Sequence, residues 1–190
     1  MTSPAPPVLI LPGWGDSGPQ HWQTLWEGAN PGFRRVVQRD WEYPVRSEWV
    51  EALDRAISAA SAPPVLVAHS LACIAIAHWA GAATQPVEAA LLVVPPDVEH
   101  PDFPPVIEGF TPIPRERLPF PSIVVASRND QFGDFERSRG LAEVWGSSFV
   151  DAGNSGHLNT DAGFGSWPLG ERLLAELAQG AAASRRRSES

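Results

Sequence analysis

The chain has 190 residues and no lysine, so all 14 of its basic side chains are arginines. That excludes a lysine nucleophile or a lysine Schiff base. Cysteine occurs once, at Cys73. One thiol can form neither an internal disulfide nor a thiolate metal cluster, and such usage suits a reducing cytosol. Charged residues make up only 19% of the chain, and the acidic excess leaves a net charge of −8. This weighs against a general nucleic-acid or anionic-membrane binder. No apolar run reaches membrane-spanning length. The stretch from Met1 to Gly13 has neither the basic start nor the apolar centre of a signal peptide. No repeat recurs at solenoid spacing, and no His/Asp/Glu set has metal-ligand spacing. The expectation is a cytoplasmic protein with no nucleic-acid and no membrane partner.

What is present is a globular composition, 43% hydrophobic, with 20 prolines and 16 glycines marking many defined loops. The length fits a single domain, residues 1–179, around one core. Residues 180–190 are small, polar and basic, and read as a disordered tail.

The apolar run Val65–Ala68 reads as a short strand covered on both faces, Val8–Leu11 as a short buried strand, Ala89–Val94 as another continuous apolar strand and Ser122–Ala126 as a further strand. Shorter strands are expected at Arg34–Gln38 and Ser148–Val150. Helices are expected from about Gln20 to Glu27, from Glu48 to Ala60 with Ser47 as N-cap, from Leu71 towards Gly81, from Asp134 to Trp145, and from Trp167 to Ala178. Strands alternating with helices imply a mainly parallel sheet with helices on both faces, an α/β class. Between Pro95 and Pro121 stand nine prolines and no strong period. A long irregular segment of this kind is either a pocket wall or lid, or a rigid surface connection.

The stretch Val65-Leu66-Val67-Ala68-His69-Ser70-Leu71-Ala72 passes from strand to helix in one tight turn with a hydroxyl at its centre. A serine raised on such a turn needs small residues two places either side, because the two backbones nearly touch; Gly-x-Ser-x-Gly is the usual form, and alanine is the next smallest choice. Ser70 then stands at a helix N-terminus, where the Leu71 N–H would supply half of an oxyanion hole. The competing reading is a loop serine capping a core helix.

The loop Pro12-Gly13-Trp14-Gly15-Asp16-Ser17-Gly18-Pro19 satisfies the bare Gly-x-Gly-x-x-Gly spacing, and Asp40 lies near the offset of a ribose-binding acid. Pro19 and Trp14 suit a pyrophosphate turn badly, and Asp16 would repel the phosphates. The same loop, following the first strand, serves better as the second half of an oxyanion hole, with the Trp14 N–H as donor.

A neutral serine hydroxyl needs a base, and the base needs a carboxylate. In an α/β-hydrolase these follow in the order Ser, Asp, His, each just past a strand. Ser70, Asp130 and His157 satisfy that order. Asp134 reads instead as a helix cap, Asp151 as too close to the His157 loop, His69 as structural with its side chain turned away, His78 as a helix residue, and Cys73 as core. His21, near the oxyanion loop, is a candidate for the pocket, and His100 for substrate contact.

Four segments resemble one family: Pro12-Gly13-Trp14-Gly15-Asp16-Ser17-Gly18-Pro19-Gln20-His21-Trp22, the elbow Ala68-His69-Ser70-Leu71-Ala72, the turn Ser127-Arg128-Asn129-Asp130, and Gly156-His157-Leu158-Asn159 with Gly163-Phe164-Gly165-Ser166-Trp167-Pro168-Leu169-Gly170. Together the chain, from about Val8 to Leu177, is similar to the small serine hydrolases typified by retinoblastoma-binding protein 9. The resemblance implies a small α/β-hydrolase fold without a large cap domain, a catalytic triad of Ser70, Asp130 and His157, no cofactor, and hydrolysis of esters or related small acyl compounds. Alanine at both flanks of the elbow departs from the commoner glycine. Pocket walls are expected from Trp14, His21, Trp22, Phe103 and Trp167. A low-turnover protein-interaction member of the fold and a peptidase or amidase using the same triad are the alternatives.

Overall fold

The computed structural model describes residues 5–83 and 85–188, with residues 181–188 described by their backbone alone. Six strands form one wholly parallel sheet: β1 (Val8–Leu11), β2 (Phe33–Arg35), β3 (Val65–His69), β4 (Ala89–Val93), β5 (Ser122–Ala126) and β6 (Ser148–Asp151). Their order is β2-β1-β3-β4-β5-β6. The chain starts near one side, steps outward to β2, then returns past β1 and proceeds the other way. The direction of winding therefore reverses at β1 and β3, and the carboxyl ends of these two strands open a crevice where ligands bind in such sheets.

Alternation along the strands divides the core in two. Leu9, Leu11, Leu66 and Ala68 face α2 (Arg46–Ser58), α3 (Leu71–Ala80) and α4 (Phe135–Trp145), packing with Trp49, Leu53, Ile74 and Trp145. Val8, Ile10, Val65 and Val67 face α1 (Trp22–Ala29) and α5 (Pro168–Ser188), packing with Trp22, Trp26, Trp167 and Leu174. Because β3 is covered on both sides, all five of its residues are buried, which is why it reads as an unbroken apolar run. α3 is buried nearly all round, and truncating Leu66 or Ile74 to alanine should cost roughly 2–5 kcal/mol.

The elements follow the expected order, with shifts at their ends. α1 begins at Trp22 because His21 is its N-cap, its Nδ1 accepting from the Gln23 N–H. α2 begins at Arg46, one residue before the expected cap Ser47, after Val45, which makes an isolated bridge with Glu108. β2 is shorter and earlier than expected. Asp134 caps α4 as expected. Pro168 opens α5, a position where its missing N–H costs nothing. Gly170 clears space for Trp167, since a Cβ there would stand 2.0 Å from the indole. The expected end of this helix near Ala178 is corrected: α5 continues to Ser188, and the last two residues of the expected tail, 189–190, lie outside the described residues. Alanines and arginines are good helix formers, and one glycine, Gly180, does not stop a helix already propagating.

The proline-rich segment is anchored rather than loose. Phe110, Ile113, Leu118 and Phe120 are buried in the face that carries α2, α3 and α4. No described helix is long and apolar enough to cross a membrane.

Candidate active site

Ser70 sits between β3 and α3 with φ 55° and ψ −125°, a conformation essentially reserved for glycine and costing of order 1–3 kcal/mol. The fold over-determines it. The Ser70 N–H donates to Val93 O at 2.8 Å, and the Cys73 N–H donates to Ser70 O at 2.9 Å. Ala68 and Ala72 are fully buried beside it.

His157 Nε2 lies 2.9 Å from Ser70 Oγ, and its Nδ1 lies 2.8 and 2.9 Å from the two carboxylate oxygens of Asp130. Asp130 Oδ1 also accepts from the Phe132 N–H at 3.0 Å. The carboxylate and the imidazole are both buried, and the Phe132 ring meets His157 edge to face at 4.6 Å. The three residues named from their order in the chain thus stand in one hydrogen-bonded row. The carboxylate holds Nδ1–H, which leaves Nε2 free to accept the serine proton.

The loop after β1 approaches the elbow from the other side. A Cβ on Gly13 would stand 2.8 Å from Ser70 Cβ and 2.9 Å from His69 O. Only glycine fits there, and the loop's cradle is filled by the elbow rather than free for a nucleotide phosphate. Arg35 of β2 ties this loop down through Asp16 at 2.6 Å and the Ser17 carbonyl. Gln23 is fully buried and donates to the carbonyls of Leu11, at the end of β1, and of Val67, in the middle of β3, while accepting from Ser17 Oγ. The Gly15 N–H is taken by Trp41 O and the Asp16 N–H by Gly13 O; among the described residues no backbone carbonyl accepts from the Trp14 N–H. Leu71 is the first residue of α3, where an N–H has no partner within the helix.

A cavity of about 180 Å³ opens over Ser70 and His157, walled by Trp14, Leu71, His21, Phe103, Ile107 and Phe132, with His69, Asp16 and Asn159 completing it. The proline-rich segment therefore does serve as a pocket wall, through Phe103 and Ile107. A more open groove of about 860 Å³ runs between residues 117–123, Gly146 and α5, but no histidine lines it.

Two expected pocket residues lie elsewhere. Trp22 is fully buried, 4.8 Å from the ring centres of both Trp26 and Trp167, and Trp167 is buried with it. They belong to the core under the site, because α1 and α5 turn their indoles onto the sheet rather than across its edge. Trp22 still reaches the site indirectly, its Nε1–H donating to Leu158 O at 2.8 Å. His100 is largely exposed and lies outside the cavity over Ser70. His78 meets the Phe110 carbonyl, Asp151 pairs with Arg128, and Cys73 is buried. Phe132, Ile107 and Asn129 were missed. Asn129 Oδ1 accepts from the Gly156 N–H at 2.8 Å and so holds the His157 loop; its place in Ser127-Arg128-Asn129-Asp130 was the available signal.

The neighbouring histidines are kept neutral. Burial, helped by Arg35 and His157, lowers His21 from 6.5 to about 4. Burial, then the nearby His157 and His21, holds His69 well below its ordinary value despite the carbonyl of His157 that favours its charged form. Burial pushes the Cys73 thiol up, so it is no thiolate nucleophile. No cluster that could hold a metal ion occurs among the described residues.

A family model described as serine hydrolase matches residues 8–176. A solved structure described as a YdeN-like hydrolase from Pectobacterium atrosepticum is similar at 31% identity and a TM-score of 0.83, covering 93% of this chain and 92% of that one. The ydeN gene product of Bacillus subtilis shares the fold at 23% identity and a TM-score of 0.74, over 90% and 98% of the two chains. So does the carboxylesterase CesB from Bacillus subtilis, at 14% identity and a TM-score of 0.63, over 92% and 84%. Among curated proteins, none matches the chain.

Proposed function

From a chain that belongs to the serine hydrolase family, we infer an esterase that cleaves small acyl esters through a covalent Ser70 intermediate. The observation that carries this reading is the row Ser70 Oγ, His157 Nε2, His157 Nδ1 and Asp130, with every step at 2.8–2.9 Å. The motif resemblance to the retinoblastoma-binding protein 9 type of small hydrolase agrees with it.

As Ser70 Oγ adds to the ester carbonyl, its proton passes to His157 Nε2 and the carbonyl π pair moves onto oxygen. The N–H groups of Trp14 and Leu71 receive that oxyanion, a role worth about 3–4 kcal/mol per donor where it has been tested. Collapse expels the alcohol, which takes the proton from His157. Water then enters, gives a proton to the same nitrogen and attacks the acyl carbon. The second collapse returns the proton to Ser70 and frees the acid. Asp130 orients His157 and stabilises the imidazolium throughout.

A cavity of about 180 Å³ under Phe103 and Ile107 accommodates a short acyl chain. Its wall offers apolar surface with the neutral His21 ring at one side.

Labelling with a fluorophosphonate probe tests this. Wild type should label, and Ser70→Ala and His157→Ala should not. Acetate and butyrate esters should turn over faster than long-chain esters. A folded wild type that does not label would replace the esterase reading with that of a binding member of the fold. Faster cleavage of a matched amide would make it an amidase.

A further inference from the structure

His157 is supported by very little regular backbone. Gly156 before it and Leu158 after it both have positive φ, 52° and 47°, so the chain turns sharply on each side of the base. At Gly156 the space also requires glycine, because a Cβ would stand 2.8 Å from Ala162 Cβ. Within the loop the Leu158 N–H donates to Ser155 O at 3.1 Å, and side chains from outside hold three further backbone groups. Asn129 accepts from the Gly156 N–H, Trp22 donates to the Leu158 carbonyl, and the His157 carbonyl lies 2.9 Å from His69 Nε2.

The last of these bonds is informative. His69 ends β3, on the face that carries Val65 and Val67, and immediately precedes the nucleophile. An apolar residue there would pack among Trp22, His21 and His157 at no desolvation cost. An imidazole at 6% exposure does carry that cost. Because a carbonyl only accepts, His69 must carry its proton on Nε2. The His69 ring also meets the His157 ring edge to face, 4.9 Å between centres.

Resting on the hydrolase reading, we propose that His69 is a positioning residue that grips the backbone carbonyl of His157 through Nε2–H and so fixes the reach of the catalytic imidazole to Ser70. Two consecutive residues of the elbow thereby act on one partner: Ser70 receives the base, and His69 holds the backbone that carries it. A neutral ring suits the task, since a cation this close would oppose the imidazolium that forms during the reaction.

The test compares His69→Leu, which fills the space without a donor, with His69→Gln, which restores an N–H at the end of a side chain. In the leucine variant kcat should fall about 10- to 100-fold, the loss expected for misplacing a catalytic group by around 1 Å, with KM changed less than about twofold. Glutamine should recover most of the loss. The low-field proton signal of His157 Nδ1–H should broaden with leucine and return with glutamine. A folded leucine variant with wild-type kcat, or a glutamine variant no better than leucine, would overturn the proposal. Should the leucine variant not fold, nitrogen-15 spectra of wild type at pH 7 decide: His69 must show the neutral Nε2–H tautomer, and the Nδ1–H tautomer would refute the grip. These spectra need no turnover, so the two failures are told apart: absence of fluorophosphonate labelling sinks the esterase reading, whereas labelling with the Nδ1–H tautomer at His69 sinks the grip alone.

Discussion

At the level of single residues, the proposed triad pairs a group that would react with groups that would prepare it. Asp130 holds His157 by two short contacts to Nδ1. Asp130→Asn keeps the shape but presents an amide donor that favours the wrong imidazole tautomer. Turnover of a butyrate ester should fall about 10⁴-fold with little change in melting temperature, as steady-state kinetics beside a thermal melt will show. The order Ser70, Asp130, His157 was readable in the chain because each follows a strand of the same parallel sheet. Trp22 and Trp167 were misread for a physical reason: a tryptophan in or near a loop has the same sequence signature whether its ring turns to the core or to the cavity. Phe132 and Ile107 carried no such signature, since an aromatic or aliphatic residue in an irregular segment is ordinary packing until the segment's path is known.

At the level of elements, the segment after β1 is neither helix nor strand yet is tightly specified. Gly13 has the elbow against it, Arg35 and Gln23 hold its far end, and the Trp14 indole donates to Glu42 O. Gly13→Ala places a methyl group within 2.9 Å of both Ser70 Cβ and His69 O, so the loop after β1, proposed to hold the oxyanion, must withdraw. The expected result is a loss of about 100-fold in kcat and a destabilisation of about 1–3 kcal/mol, read from kinetics and urea unfolding. Gly15→Ala, by contrast, meets nothing within 4 Å, and its difficulty is only a φ of 80°. The buried strands were legible almost to the residue, because continuous apolar runs between breakers have one reading in a parallel sheet. The ends of helices were not. His21 as the cap of α1 depends on a ring nitrogen turned back to Gln23, and the continuation of α5 depends on propagation that a single glycine does not halt.

At the level of the whole molecule, the packing of neutral histidines sets a limit in acid. His21, His69 and His78 all have values lowered chiefly by burial. In each, the unfolded chain binds a proton near pH 6.5 that the folded protein refuses until lower pH. Their contribution is therefore complete above about pH 6.5 and declines as pH falls. For His21, with a folded value of about 4, the loss approaches about 3 kcal/mol by that pH. Urea unfolding should give a flat stability from pH 7 to 8 and a falling one from 6.5 to 4, and His21→Asn, which can still cap α1, should reduce the slope. The bond from Trp22 to the Leu158 carbonyl joins residues 136 apart. A ribosome releasing this chain must synthesise the loop of the base long after the indole that will hold it has emerged. During synthesis, that bond therefore cannot close until both distant parts of the chain are present.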